Sequence, residues 1–228
     1  MASSPINGNL IVQNGLPDLL RAIESIYPIC DKIYVCDGGS TDGTWEWLQN
    51  VKDIYNLELY QHKFESMVKQ RNWLLKKTPI DSWIISLDQD EEICYAGHLK
   101  ILLDGLSEKF MSVGAGVGVQ ILFINMINDP RHQVELIYTN GAKVFTNKKG
   151  VKFGINDYHA IPMDETDRVW MRGDADPPIC LKHYAFLDPK RSKSRCERLK
   201  DNKEAGKSEY EFWCNMKHKV KELPEYLW

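Results

Sequence analysis

The sequence predicts an α/β protein built on a mainly parallel sheet with helices on both faces. Three observations carry this expectation. Strand-like and helix-like stretches alternate four times over the first 106 residues, the pattern of a sheet wound with helices on either side. The strand candidates are compact apolar runs, as strands buried on both faces tend to be. Two loops dense in acidic and turn-forming residues each follow such a run, at the carboxyl end where open sheets of this kind bind ligands.

Residues 9–12 form the first strand candidate, closed by Gln13-Asn14-Gly15. Pro17 suits the first turn of the next helix, where Leu16, Leu19, Leu20, Ile23 and Ile26 recur at the spacing of one apolar face. Pro28 stops that helix. Residues 33–36 are a second strand, running into the turn-rich Asp37-Gly38-Gly39-Ser40-Thr41-Asp42-Gly43-Thr44. Trp45, Leu48 and Val51 mark a helix for which Thr41 or Asp42 is a plausible cap. A third strand over 57–60, a helix over 66–76, and a fourth strand over 83–87 follow. That last strand ends in Asp88-Gln89-Asp90-Glu91-Glu92, ahead of a helix marked by Leu99, Leu102, Leu103 and Leu106.

The second half differs. Residues 117–126, 134–138 and 143–145 read as strands with no clear helix between them, which predicts a mixed or antiparallel extension of the sheet. From Lys190 onward the chain is heavily charged and reads as helical, anchored by Phe212, Trp213 and Met216. The expected organisation is one domain over 1–189 with a C-terminal helical appendage over 190–228.

Composition narrows the function. In 228 residues, 29 Lys and Arg against 32 Asp and Glu give a net charge of −3, without the basic excess of a dedicated nucleic-acid binder. With 43% hydrophobic and 27% charged residues, the chain is an ordinary globular mix. No apolar run approaches the roughly 20 residues that cross a bilayer, and Met1 to Asn9 lack a signal-peptide core. These features predict a soluble, cytoplasmic protein. The six cysteines include no CxxC pair and read as reduced thiols. Cys180 and His183 supply only half of a zinc site.

Four carboxylates in the five residues from Asp88 repel one another unless a cation or solvent compensates. A hard divalent ion, Mg²⁺ or Mn²⁺, suits such an oxygen-rich site when it also holds substrate phosphates. A solvated acidic turn opening a helix explains the same residues equally well. In the first loop, Asp37 ends a buried strand, and Gly38-Gly39 lets another molecule approach the backbone. That loop is not an EF-hand, because Thr41 and Asp42 stand where a ligand and a glycine are required. Gly114, Gly116 and Gly118 do not make a dinucleotide fingerprint, because Val119 fills its last glycine position.

Together the two loops resemble a known family. The run IYVCDGGSTDGT, followed about fifty residues later by WIISLDQDE, is similar to the nucleotide-receiving DDGSTDGT loop and the LDADE metal motif of family 2 glycosyltransferases of the GT-A fold. Arg71-Asn72 resembles the RN on the helix before the metal strand, and Asn14 with its following helix resembles the family's opening segment. The likeness covers residues 8–92 and thins beyond them. Residues 141–145 and 150–159 resemble a stretch written RLFRN…G…VHE, with Ala160 where that pattern has Glu. His183-Tyr184, followed by Lys190 and Arg191, resembles a downstream HY segment.

The resemblance implies transfer of a sugar, with inversion, from a nucleotide-diphosphate donor to an acceptor. A UDP-sugar is favoured. The acceptor is open among saccharide, lipid-linked, protein and nucleic-acid hydroxyls. It implies Mn²⁺ or Mg²⁺ on Asp88, Asp90 and His183. It implies donor binding by Asn14, Asp37, Gly39, Arg71, Asn72, Asp88, Lys190 and Arg191. Gly38 replaces the second Asp of the family's pair, which leaves Asp37 to meet the base. The loop GINDYHAIPMDE supplies Asp157 as the favoured general base and His159 as a residue that orients a ligand, with Asp164 and Glu165 nearby. A phosphatase with DxD after an apolar strand would want Gly-Thr where Glu91-Glu92 stand. A nucleotidyltransferase would want a Gly-rich, Arg-containing loop that Gln13-Asn14-Gly15 does not supply. A non-catalytic nucleotide-sugar-binding protein uses most of the same residues.

Overall fold

The computed structural model describes residues 3–110, 116–127, 129–134, 138–154, 161–163, 169–172, 178–186 and 220–223. Its centre is four parallel strands: β1 (Ile6–Val12), β2 (Lys32–Asp37), β3 (Leu57–Gln61) and β4 (Ser82–Asp88). β1 lies between β2 and β4, and β3 flanks β2. The order reverses at β1, so the two acidic loops leave from either side of it. In register, Val12 faces Asp37 and Ile11 faces Asp88. Both aspartates therefore reach the same edge of the sheet, in the crevice where open α/β sheets hold ligands.

Four helices cover this centre: α1 (Leu16–Ile26), α2 (Thr44–Val51), α3 (Met67–Leu75) and α4 (Ala96–Phe110). On α1, Leu19, Ala22, Ile23 and Ile26 are fully buried, and their three-and-four spacing is the reason this segment is a helix lying on a sheet. Leu20, expected on the same face, is 38% exposed. The N-cap of α2 is Gly43 rather than Thr41 or Asp42, and Asp42, one residue before it, accepts the Thr44 N–H at 3.0 Å. Ser66 caps α3 by accepting the Lys69 N–H at 3.3 Å. The core includes Trp83, fully buried on β4. Its indole N–H donates to Ser107 Oγ on α4 at 2.7 Å, and that hydroxyl donates to the Leu103 carbonyl, so no polar group is stranded there.

The second half extends the sheet. β5 (Glu91–Cys94), β6 (Val117–Ile127), β7 (Asp129–Val134), β8 (Tyr138–Asn147), β11 (Val169–Arg172), β12 (Cys180–Phe186) and β13 (Val220–Glu222) join the four central strands. β9 (Lys152–Gly154) and β10 (Ile161–Met163) form a separate hairpin. β8 runs antiparallel to β4, β6 runs antiparallel to β8, and β12 lies between β6 and β5. This is the mixed extension the sequence predicts. The strand expected over 134–138 resolves into the end of β7 and the start of β8, with 135–137 outside the described residues. β5 is a strand where the sequence reads as an acidic loop.

The expected boundary at 190 and most of the expected helical appendage lie outside the described residues. The described piece beyond it, β13, is a strand paired antiparallel with β7. Among the described residues, no helix is long and apolar enough to cross a membrane.

Candidate active site

The carboxyl edge of the parallel strands assembles two clusters around β1. The first grows from Asp37, which is fully buried at the end of β2. Its Oδ1 accepts the backbone N–H groups of Gly39 at 2.8 Å and Ser40 at 2.9 Å, folding the loop back over the strand end. Gly39 makes this turn at φ of +101°, a conformation that favours glycine because a Cβ is strained there. Asp37 Oδ2 is buried and has no hydrogen-bond partner among the described residues. One carboxylate oxygen thus builds the loop, and the other is an acceptor lacking a donor, which is costly unless a ligand supplies one.

Asn14 braces this loop from the end of β1. Its Oδ1 accepts the Thr41 N–H at 2.8 Å, and its own N–H donates to Ser40 Oγ at 2.9 Å. Gln89, the middle residue of the second acidic motif, ties in from the other side: its Oε1 accepts the Gln13 N–H at 3.0 Å. Gly15 leaves the room, since a Cβ there would stand 2.5 Å from that same oxygen.

The second cluster is a network of two cations and two carboxylates. Arg71, buried on α3, donates from Nη2 to Asp88 Oδ1 at 2.5 Å and from Nη1 to Ser86 Oγ at 2.6 Å. Lys143, buried on β8, places Nζ 3.2 Å from Asp88 Oδ2 and 2.7 Å from Glu91 Oε2. Glu91 Oε2 also accepts the Asp88 N–H at 2.8 Å. Burial alone would raise the Asp88 carboxyl, but the charges of Arg71 and Lys143 outweigh it and hold the group well below the usual carboxylate range. Glu91 is 2% exposed. Burial, with Asp88 adding to it, pushes its carboxyl up to about 7 against the pull of Lys143.

Asp90 points elsewhere. Its Oδ2 lies 3.8 Å from Nε2 of His183 on β12, and its carbonyl accepts the Tyr184 N–H at 2.9 Å. His183 Nδ1 meets Asn125 Oδ1 at 2.8 Å on the neighbouring β6. With Nδ1 donating to that amide oxygen, Nε2 presents its lone pair toward Asp90, the arrangement by which a second partner orients a metal-binding imidazole. The Tyr184 hydroxyl donates to Glu92, and the guanidinium of Arg21 stacks 4.0 Å over the Tyr184 ring, which fastens α1 to β12.

A carboxylate beside an imidazole fits a divalent ion, Mn²⁺ better than Mg²⁺ because nitrogen is the softer donor. Both oxygens of Asp88 are already engaged by cations, so Asp90 and His183 are the groups that fit. Among the described residues no three metal-ligating side chains converge. An ion held here would draw further oxygens from a bound ligand, as hard ions on substrate phosphates do.

The structure thus brings Asn14, Asp37 and Gly39 into one loop, pairs Arg71 with Asp88, and pairs Asp90 with His183. Asn72 faces away from the strand ends. Its Nδ2 donates to the Phe153 carbonyl at 2.9 Å and its Oδ1 accepts the Phe153 N–H at 2.7 Å, which clamps β9 to α3. Asp157, His159, Asp164, Glu165, Lys190 and Arg191 lie outside the described residues. Sequence reasoning missed Lys143, Glu91 as its partner, and Asn125. The one signal for Lys143 was a cation within an otherwise apolar strand run, Val144-Phe145 following it directly.

A mainly parallel sheet whose order reverses at β1, with an antiparallel extension beyond β4 and helices packed on it, is the Rossmann-like GT-A class of fold. The chain belongs to glycosyl transferase family 2, whose model matches residues 10–165. The crystal structure of S. aureus TarS aligns with 92% of this chain and 42% of its own, at 12% identity and a TM-score of 0.51, a likeness of fold. TarS 1–349 with UDP-GlcNAc aligns over 54% of this chain and 34% of its own, at 18% identity and a TM-score of 0.41. Glucosyl-3-phosphoglycerate synthase from Mycobacterium tuberculosis, in complex with Mn²⁺, UDP and glucosyl-3-phosphoglycerate, aligns over 54% and 44%, at 18% identity and a TM-score of 0.36. The chain therefore spans less than half the length of these structures. No curated protein sequence is significantly similar to it.

Proposed function

We propose that this protein transfers a sugar from a nucleotide-diphosphate donor, a UDP-sugar by preference, to an acceptor hydroxyl with inversion at the anomeric carbon. The observation that carries the reading is the shared strand edge, where the orphaned Oδ2 of Asp37 and the Asp90–His183 pair flank β1. The two ends of a nucleoside diphosphate need such features: an acceptor for the base and an anion-balancing centre for the diphosphate.

Asp90 and His183 would hold a divalent ion, Mn²⁺ or Mg²⁺, which when bound neutralises charge on the departing diphosphate. Asp37 accepts the imide N–H of the base. Asn14 and Gly39 keep the loop in the shape that presents it. Arg71 serves the donor through Asp88, whose carboxylate it fixes at the strand end. Asn72 acts through β9. Lys190 and Arg191 are the cations we assign to the diphosphate. Asp157 takes the proton of the attacking hydroxyl as the bond forms, a step that contributes about 10²–10⁴-fold, and His159 orients the acceptor.

Calorimetry with nucleoside diphosphates tests the donor. Uracil offers an imide N–H to Asp37, whereas adenine presents acceptor nitrogens there. A mismatch of about 1–3 kcal/mol translates to UDP binding about 5–150-fold tighter than ADP. Equal affinities would overturn the base assignment, and tighter GDP would move it to guanine, which also carries an imino N–H.

For the proton acceptor, donor binding and turnover are measured separately for Asp157→Asn, His159→Ala and Glu165→Gln. Asp157→Asn keeps donor affinity and loses most of its turnover. Near-wild-type rates in all three place the base elsewhere.

A further inference from the structure

Away from the strand-end site, two thiols meet across the sheet. Cys94 ends β5 and Cys180 begins β12, directly opposite each other in antiparallel register. Residues so placed carry their side chains on one face, with Cα atoms about 4.5–5.5 Å apart. That falls inside the range of about 4.4–6.8 Å that a disulfide bridges. Both are free thiols, Cys94 half-buried and Cys180 fully buried, among Ile124, Met126, Tyr184 and Leu223.

We propose that Cys94 and Cys180 form a dithiol site that exchanges reversibly with a small-molecule disulfide of the glutathione type, closing a cross-strand disulfide between β5 and β12. The geometry divides the labour between them. Cys94 is reachable from solvent and Cys180 is not, so Cys94 attacks first. Hydrogen bonding by the Cys180 thiol holds the Cys94 thiol below its ordinary range against the effect of burial, with the Lys182 cation assisting. The same hydrogen bond and burial push Cys180 far up, which keeps it protonated until the second step.

The exchange balances without any other oxidant. The Cys94 thiolate attacks one sulfur of the small disulfide, its S–S bond breaks, and one thiolate leaves. Cys180 then releases its proton to the solvent as its sulfur attacks Cys94, and the second small thiolate departs and is reprotonated. Two protein thiols are oxidised and one small disulfide is reduced to two thiols. The new bond joins the strand that follows the acidic motif to the strand that carries His183. Those strands are already paired in register, so closure needs no rearrangement of the sheet.

Peptide mapping tests this. The chain is incubated natively with oxidised glutathione, free thiols are trapped with N-ethylmaleimide in denaturant, and the product is digested with trypsin. Tryptic peptides 78–100 and 173–182 hold one cysteine each, Cys94 and Cys180. The expected result is a single disulfide-linked species of these two peptides, an at least tenfold loss of both maleimide-labelled forms, and full recovery of both with dithiothreitol. Cys180→Ser should stop the reaction with glutathione attached at Cys94. Cys94→Ser should leave Cys180 as a free thiol. Wild-type protein that keeps both thiols free, or that keeps glutathione on Cys94 unresolved, overturns the proposal. Glutathione on Cys180 in the Cys94→Ser variant overturns the order of attack.

Discussion

Asp90→Ala should cost roughly 10³-fold in metal-stimulated turnover while the melting temperature stays within a few degrees of wild type. The side chain is 17% exposed at a strand-end turn, and its 3.8 Å approach is to the imidazole of His183. The carbonyl that accepts the Tyr184 N–H remains in any variant, so the turn keeps its tie to β12. What goes is one of the two groups that fit the ion. A metal contributes several kcal/mol of transition-state charge stabilisation, and each 1.36 kcal/mol is tenfold in rate. Turnover is measured against Mn²⁺ concentration, with calorimetry of Mn²⁺ and UDP together as a readout independent of catalysis. Unchanged turnover in EDTA, or full Mn²⁺ stimulation of Asp90→Ala, would reject the metal role.

Lys143→Met should be the most destabilising single change among the site residues, at about 3–5 kcal/mol. Removing one partner of a buried ionic network leaves the others uncompensated, here Glu91 at 2% exposure and Asp88 beside it. The loss also depends on pH with a definite sign. The Glu91 carboxyl is already raised from 4.5 to about 7 in the folded protein. The folded state therefore binds a proton more readily than the unfolded chain, and stability falls as pH rises from about 4.5 through about 7. Without Lys143 that fall continues to higher pH, because the largest pull against the effect of burial on Glu91 is then gone. Urea unfolding at pH 5.5 and pH 8 reads the difference. Lys143→Met combined with Glu91→Gln should recover part of the loss at pH 8, because the unpaired buried charge is gone. Equal destabilisation at both pH values, or no rescue by the second substitution, would refute this account of the network.

How much of this was legible in the sequence follows from distance along the chain. Asp37 and Asp88 could be placed because each directly ends an apolar run, and a parallel sheet sends such ends to one edge. The turn chemistry around Gly39 and Asp42 is local and was readable for the same reason. β5 was not, because two acidic residues followed by two apolar ones show no strand alternation and are too short to separate from a loop. The partners of the site were hidden by separation: Lys143 lies 52 positions from Glu91, and His183 lies 58 from Asn125. No periodicity reports a contact formed only when strands distant in sequence come together in the sheet. Arg71 and Asn72 illustrate a subtler limit. The sequence marks both as site residues, but only the fold separates them, turning one toward Asp88 and its neighbour toward β9.

That clamp on β9 has a consequence for how such a protein can diversify. Asn72 holds Phe153 through its main-chain N–H and carbonyl alone, groups that every residue except proline carries in full. The attachment is therefore indifferent to which side chain follows it. The sequence beyond Gly154 can drift over generations while β9 stays seated on α3. A lineage could in this way vary that stretch freely without disturbing the strand edge where Asp37 and Asp88 end.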